Sequence, residues 1–102
     1  MEENFQNLKK IIEYSKGGIL SKEIIKDTKL NVTLFCMASG TEMSEHTSTK
    51  QGFIYVIEGG GVFNLSGEKI TMTPNVFIKM DKNAVHSLKA EKNTTFLLSL
   101  VS

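Results

Sequence analysis

Two periodicities divide the chain. In Asn4–Tyr14 the apolar residues Phe5, Leu8, Ile11 and Ile12 fall at helical spacing, and Lys16-Gly17-Gly18 closes the pattern. From Gly18 the period becomes two. Ile19–Lys26, Leu30–Ala38, Phe53–Glu58, Val62–Leu65, Lys69–Met72, Val76–Met80, Ala84–Lys89 and Thr94–Val101 read as eight strands separated by short Gly, Asn, Asp, Ser and Pro turns. A strand about every 8–12 residues, with no helix between strands, predicts an antiparallel sandwich or barrel. The expected organisation is an N-terminal helical segment over residues 1–17 and one β-barrel over residues 18–102. The helix is expected to act as a lid on the barrel, with a clasp on a second subunit as the other use of its apolar face. Thr94–Val101 carries Phe96, Leu98 and Leu100 on one face and Leu97 and Val101 on the other, so its outer side is expected to be covered as well.

Composition excludes several function classes. At 102 residues the chain is one small domain, and its single cysteine, Cys36, allows no internal disulfide and suits a reducing compartment. Cys36 lies in an apolar alternation and reads as a small buried hydrophobe; Met37, Met43, Met72 and Met80 read mainly as core filler. The opening residues are acidic and polar, unlike a signal peptide, and no apolar run approaches the ~20 residues of a membrane span. A cytoplasmic location is expected. Twelve basic residues against eleven acidic ones leave a net charge of +1, with the lysines scattered, so neither nucleic acid nor an anionic membrane is indicated as a partner.

The chemistry concentrates in two segments. Gly40–Gly61 carries His46 and runs into an apolar strand that stops at three glycines; Asp81-Lys82-Asn83 leads into a strand carrying His86. These are the only two histidines. The three glycines make a turn between strands and not a phosphate loop, since no helix follows. If the two histidine-bearing strands lie side by side, the imidazoles share one pocket. Alternation through Gly52 points Ile54 and Val56 inward, with Ala84 and Leu88 flanking His86. The expected ligand pocket comprises His46, Ser48, Ile54, Val56, Met80, Ala84, His86 and Leu88. Tyr55 and Ile57 then face outward, as a surface covered by the N-terminal segment or by a second copy.

The spacing resembles that of the cupins, small jelly-roll barrels with two motifs. Gly40, His46, Ser48, Gly52 and Gly59 occupy the five places of the first motif, where the family has glycine, histidine, histidine, glutamate and glycine. Asn75, Asp81, Asn83, His86 and Ala90 occupy those of the second, where the family has glycine, proline, glycine, histidine and asparagine. Asparagine tolerates a left-handed backbone better than other non-glycine residues, so Asn75 and Asn83 are able to keep the turns. The resemblance implies an all-β, double-stranded β-helix or jelly-roll barrel with a short N-terminal helix, and commonly a homodimer. It also implies that His46 and His86 are what remains of a three-histidine, one-glutamate metal set.

Three readings of the pair stay open: backbone-bonded structural histidines, a reduced site weakly holding one divalent metal (zinc, iron, nickel or manganese), and a metal-free pocket for an anionic or hydroxylated small molecule. For function, a small-molecule-binding or sensing module stands beside a metal-dependent enzyme of isomerase or oxygenase type. The replacements Ser48 and Gly52 favour the module.

Overall fold

The computed structural model describes residues 4–102. Residues 1–3 of the expected N-terminal segment lie outside that range. Nine strands follow in order: β1 (Ile19–Lys26), β2 (Leu30–Met37), β3 (Glu42–His46), β4 (Gln51–Glu58), β5 (Gly61–Leu65), β6 (Glu68–Met72), β7 (Phe77–Met80), β8 (His86–Ala90) and β9 (Thr94–Val101). They form a five-stranded sheet in the order β1-β2-β9-β4-β7 and a four-stranded sheet in the order β3-β8-β5-β6, with every pairing antiparallel. The crossovers between the sheets make a jelly-roll barrel, and the alternating apolar residues of both inner faces meet in its core.

The ninth strand is β3, which the polar run before Gly52 conceals. Four of its five residues are exposed, and its ladder partner β8 supplies the apolar positions. The core consists of fully or nearly fully buried Met37, Ile54, Val56, Phe63, Met72, Ile78, Met80, Leu88, Ala90 and Phe96. A large apolar side chain such as Phe63 or Phe96 contributes roughly 1.5–3 kcal/mol on burial, and nine such positions, with Ala90 beside them, make the core the main source of stability. The close turns form where the sequence allows left-handed backbone. Ser66 (φ 49°) and Gly67 (φ 88°) close the β5–β6 hairpin, and Asn75 (φ 76°) and Asn83 (φ 66°) hold the turns flanking β7.

The expected N-terminal helix is corrected to a single 3-10 turn at Leu8–Lys10, capped by the Asn7 side chain accepting from the Lys9 amide. An isolated helix of this length does not repay its nucleation cost. Tertiary partners claim the segment instead. The Lys22 ammonium of β1 donates to the Ile11 carbonyl at 2.7 Å and to the Glu13 carboxylate at 2.9 Å, diverting groups a helix would use. The Tyr14 hydroxyl donates to Glu58 Oε2 at 2.8 Å, which commits its one proton. The Thr95 hydroxyl, 2.6 Å away, therefore donates to the phenol oxygen. The segment is thus strapped as irregular chain to the outer face of the larger sheet, where Leu34, Cys36 and Thr95 are fully buried outside the core cluster. Among the described residues no helix is long and apolar enough to cross a membrane.

Candidate functional site

The site is built where β3 meets β8. His46 and His86 are ladder partners, and a one-residue bulge lies between Met43 and His46. Residues three apart on a regular strand face opposite ways; the bulge brings Met43 and His46 to the same, inner side. On β8, His86 and Leu88 alternate inward as expected. The imidazole centroids lie 4.0 Å apart with the rings inclined at 63°, and Phe63 stacks on the far face of His86 at 5.9 Å. His86 is buried while His46 stands exposed at the mouth.

Each imidazole is oriented through its own strand. His46 Nδ1 lies 2.6 Å from the Ser44 carbonyl oxygen, and His86 Nδ1 lies 2.9 Å from the Ala84 carbonyl oxygen. A carbonyl oxygen only accepts, so both Nδ1 atoms carry the proton. In the neutral ring that leaves Nε2 as a lone pair, and no described protein atom hydrogen-bonds either Nε2. Burial pushes the His86 imidazole below its ordinary pKa; the Ala84 carbonyl opposes this fall and the neighbouring His46 adds to it. His86 is therefore neutral at pH 7. Where both rings are neutral, the pair offers two Nε2 lone pairs beside the cavity that both side chains line.

That cavity has a volume of about 60 Å³ and is lined by Phe35, Met43, His46, Ile54, Phe63, Met80, His86, Leu88, Phe96 and Leu98. Of the expected pocket residues, His46, Ile54, Met80, His86 and Leu88 stand around it; Ser48, Val56 and Ala84 do not. The Ser48 hydroxyl turns back to accept from the Lys50 amide at 3.1 Å. Val56 lies further along β4, in the sealed core opposite Phe96. Ala84 precedes β8 and contributes only its carbonyl to orienting His86. Phe35, Phe63, Phe96 and Leu98 were recoverable from strand alternation once both sheets were assigned. Met43 was not, because its inward direction depends on the bulge.

The residues do not fit the metal set that the motif spacing implies. Among the described residues no three His, Cys, Asp or Glu side chains come together. Glu42 and Glu45 are exposed, and Asp81 faces solvent beside Lys79. At Gly52, in the glutamate place, a Cβ would lie 2.8 Å from Met80 Cε and 3.1 Å from Leu100 Cδ2. Apolar side chains have closed over the position from which a carboxylate would reach inward.

A conserved protein of unknown function from Streptococcus pyogenes is 20% identical, superposes with a TM-score of 0.90, and is matched over 100% of this chain and 90% of its own. A cupin superfamily protein from Desulfitobacterium hafniense is 19% identical with a TM-score of 0.90, over 99% of this chain and 93% of its own. A G106A mutant of salicylate 1,2-dioxygenase from Pseudoaminobacter salicylatoxidans shares the fold at 18% identity and a TM-score of 0.77, over 82% of this chain and 26% of its own. No curated protein matches the sequence. The sequence profile of the cupin domain matches residues 33–101, which take in most of β2, all of β3 to β9 and both histidines; the chain belongs to the cupin family.

Proposed function

We propose that this cupin is a small-ligand-binding or sensing module whose ligand enters the β3–β8 cavity and is held by Nε2 of His46 and of His86. The observation that carries the reading is the pair of unclaimed Nε2 lone pairs in an otherwise apolar cavity. Two acceptors select a partner that offers a proton or an empty orbital, such as a neutral hydroxyl, and reject a carboxylate, which offers neither. A cavity needs about 10–15 Å³ to hold a water, and a benzene-binding cavity has about 150 Å³. A cavity of about 60 Å³ therefore admits a ligand of few atoms, or a ring once Met43 and Met80 swing aside. The alternative of a metal-dependent isomerase or oxygenase lacks its donor set in the described residues. The dioxygenase likeness concerns the fold alone.

Phenol and benzoate make a matched pair of probes, equal in ring and opposite in hydrogen-bonding role. In a two-dimensional NMR titration at pH 7 phenol is expected to shift the His46 and His86 ring signals, and to lose that effect in His86→Leu, while benzoate leaves them in place. Shifts from benzoate, or from neither probe, would sink the reading.

The same proposal includes a homodimer and a cytoplasmic location. Outside the strap, the larger sheet exposes Phe77 (62%) and Tyr55 (39%), with Phe53 stacked on Phe77 at 5.8 Å and Leu97 paired beside Tyr55. A second copy of this chain is the occupant that suits such an aromatic patch, which Lys79, paired with Phe53 on β4 and with Asp81, borders on one side. Light scattering is expected to give a dimer that Phe77→Asp converts to monomer; a monomeric parent protein rejects it.

A further inference from the structure

The donors around the cavity are soft or borderline. His46 and His86 supply imidazole nitrogens, and Met43 and Met80 supply thioether sulfurs; all four side chains line the same small space. Among the described residues no carboxylate, thiolate or hydroxyl lines it with them. We propose that the cavity binds a single Cu(I) ion through the histidine Nε2 atoms and the methionine thioethers, a set distinct from the histidine–glutamate site implied by the motif spacing. This deepens, and rests on, the reading of the cavity as the ligand site.

Three features select this ion. Thioether and imidazole donors are soft or borderline and suit Cu(I), whereas magnesium, calcium and manganese require oxygen, and zinc sites are completed by thiolate, carboxylate or further imidazole. A ligating imidazole is neutral, as is a thioether, so none of the ion's charge is cancelled on binding. The cost of placing a bare ion in an apolar cavity grows with the square of its charge, which favours a monocation strongly over a dication. Size permits it, since a cavity of about 60 Å³ exceeds what one ion requires.

The sequence places the donors through two departures from strand regularity. The bulge between Met43 and His46 brings both residues inward. Gly52, by lacking a side chain, lets the Met80 methyl settle against the β4 backbone, where a Cβ would be only 2.8 Å away. At the place where the motif has a glutamate, the chain thus admits a thioether.

The test is an anaerobic titration of the metal-free protein with Cu(I) in competition with bicinchoninate, beside titrations with Zn(II), Fe(II) and Mn(II). One Cu(I) per chain is expected, held at least ~100-fold more tightly than Zn(II). Met43→Leu and Met80→Leu, which nearly conserve volume, are each expected to weaken Cu(I) by about 10-fold or more while thermal unfolding shows both still folded. X-ray absorption of the copper-loaded protein is expected to show sulfur as well as nitrogen neighbours. The inference is overturned by Cu(I) bound below one per chain, by Zn(II) bound as tightly, or by Cu(I) affinity unchanged in both leucine variants. It is equally overturned if the His46→Ala/His86→Ala double variant, shown folded, keeps the copper. If Cu(I) fails while phenol still shifts the histidine signals, the ion falls and the ligand site stands; if both fail, the site falls too.

Discussion

Gly52→Ala measures how firmly Met80 occupies the place that the motif gives to a glutamate. The added Cβ would meet Met80 Cε at 2.8 Å and Leu100 Cδ2 at 3.1 Å, against about 3.5–4.0 Å for ordinary carbon contacts. The Met80 methyl must therefore retreat by about 1 Å inside a core where Met80 is only 3% exposed. Overpacking of this kind costs about 1–3 kcal/mol, while replacing glycine removes about 0.4–1 kcal/mol of unfolded-state entropy. The expected net loss is about 1–2 kcal/mol, or roughly 4–16 °C in melting temperature for a domain of this size. The assay is urea unfolding followed by circular dichroism at fixed protein concentration, since a dimer makes stability concentration-dependent. Met80→Leu removes the crowding methyl, so the double variant should be about 1 kcal/mol more stable than the sum of the single effects predicts. Gly52→Ala at or above parental stability, or strict additivity with Met80→Leu, would refute the claim that the methionine fills that place.

Other expectations concern the strap and one turn. Tyr14→Phe removes the phenol between Glu58 and Thr95 and should cost about 1–2 kcal/mol in urea unfolding, chiefly through the stranded Thr95 hydroxyl; an unchanged midpoint would show that the strap is not held there. Burial raises the Tyr14 pKa from 10.0 to about 12; the Thr95 hydrogen bond opposes that rise, and the Glu58 carboxylate and nearby Cys36 add to it. The folded state thus keeps its proton where the unfolded state has lost it. The resulting stability is fully present below pH 10 and is lost as pH rises from about 10 to about 12. Solvent screening at this part-exposed site reduces the loss to about 1 kcal/mol, which should be absent in Tyr14→Phe. Gly59 has φ 104°, and a Cβ there would meet the Asn93 carbonyl and Thr94 backbone, so Gly59→Ala is expected to cost about 3 kcal/mol; a loss under about 1 kcal/mol would contradict this.

The barrel was largely legible because alternation and turn chemistry act locally. Val62–Leu65, Ser66-Gly67 and Lys69–Met72 contain all that a hairpin needs, and that hairpin is present. Asn75 and Asn83 marked left-handed turns without glycine, as their positive φ angles show. Two elements failed for physical reasons. The helical spacing of Phe5, Leu8, Ile11 and Ile12 stated a local preference, which Lys22, Glu58 and Thr95 override through hydrogen bonds from distant strands. Strand β3 carries too little apolar signal to be seen, since its partner β8 and not its own burial holds it in place. At the site, periodicity through Gly52 found Ile54, and it found His86 and Leu88 on β8. It could not place Met43, because one extra residue in a strand reverses every later side chain and leaves no compositional mark.

The residues that shape this cavity and those that give it chemistry are different residues. Asn75, Asn83 and the β3 bulge fix where the strands turn and bend; they would do the same around any donor set. The donors depend on what stands at a few inward positions, and two of the family's four are replaced here, by Ser48, which bonds to its own turn, and by Gly52, over which Met80 closes. Neither change disturbs a ladder hydrogen bond or a turn. The fold therefore tolerates the loss of an imidazole and a carboxylate at little structural cost, and fold likeness alone does not reveal which donors a member carries. It follows that the relevant comparison among cupins of this size is the side chain opposite the glutamate place. Where glycine stands there beside an inward methionine, the chemistry of the cavity should follow the sulfur.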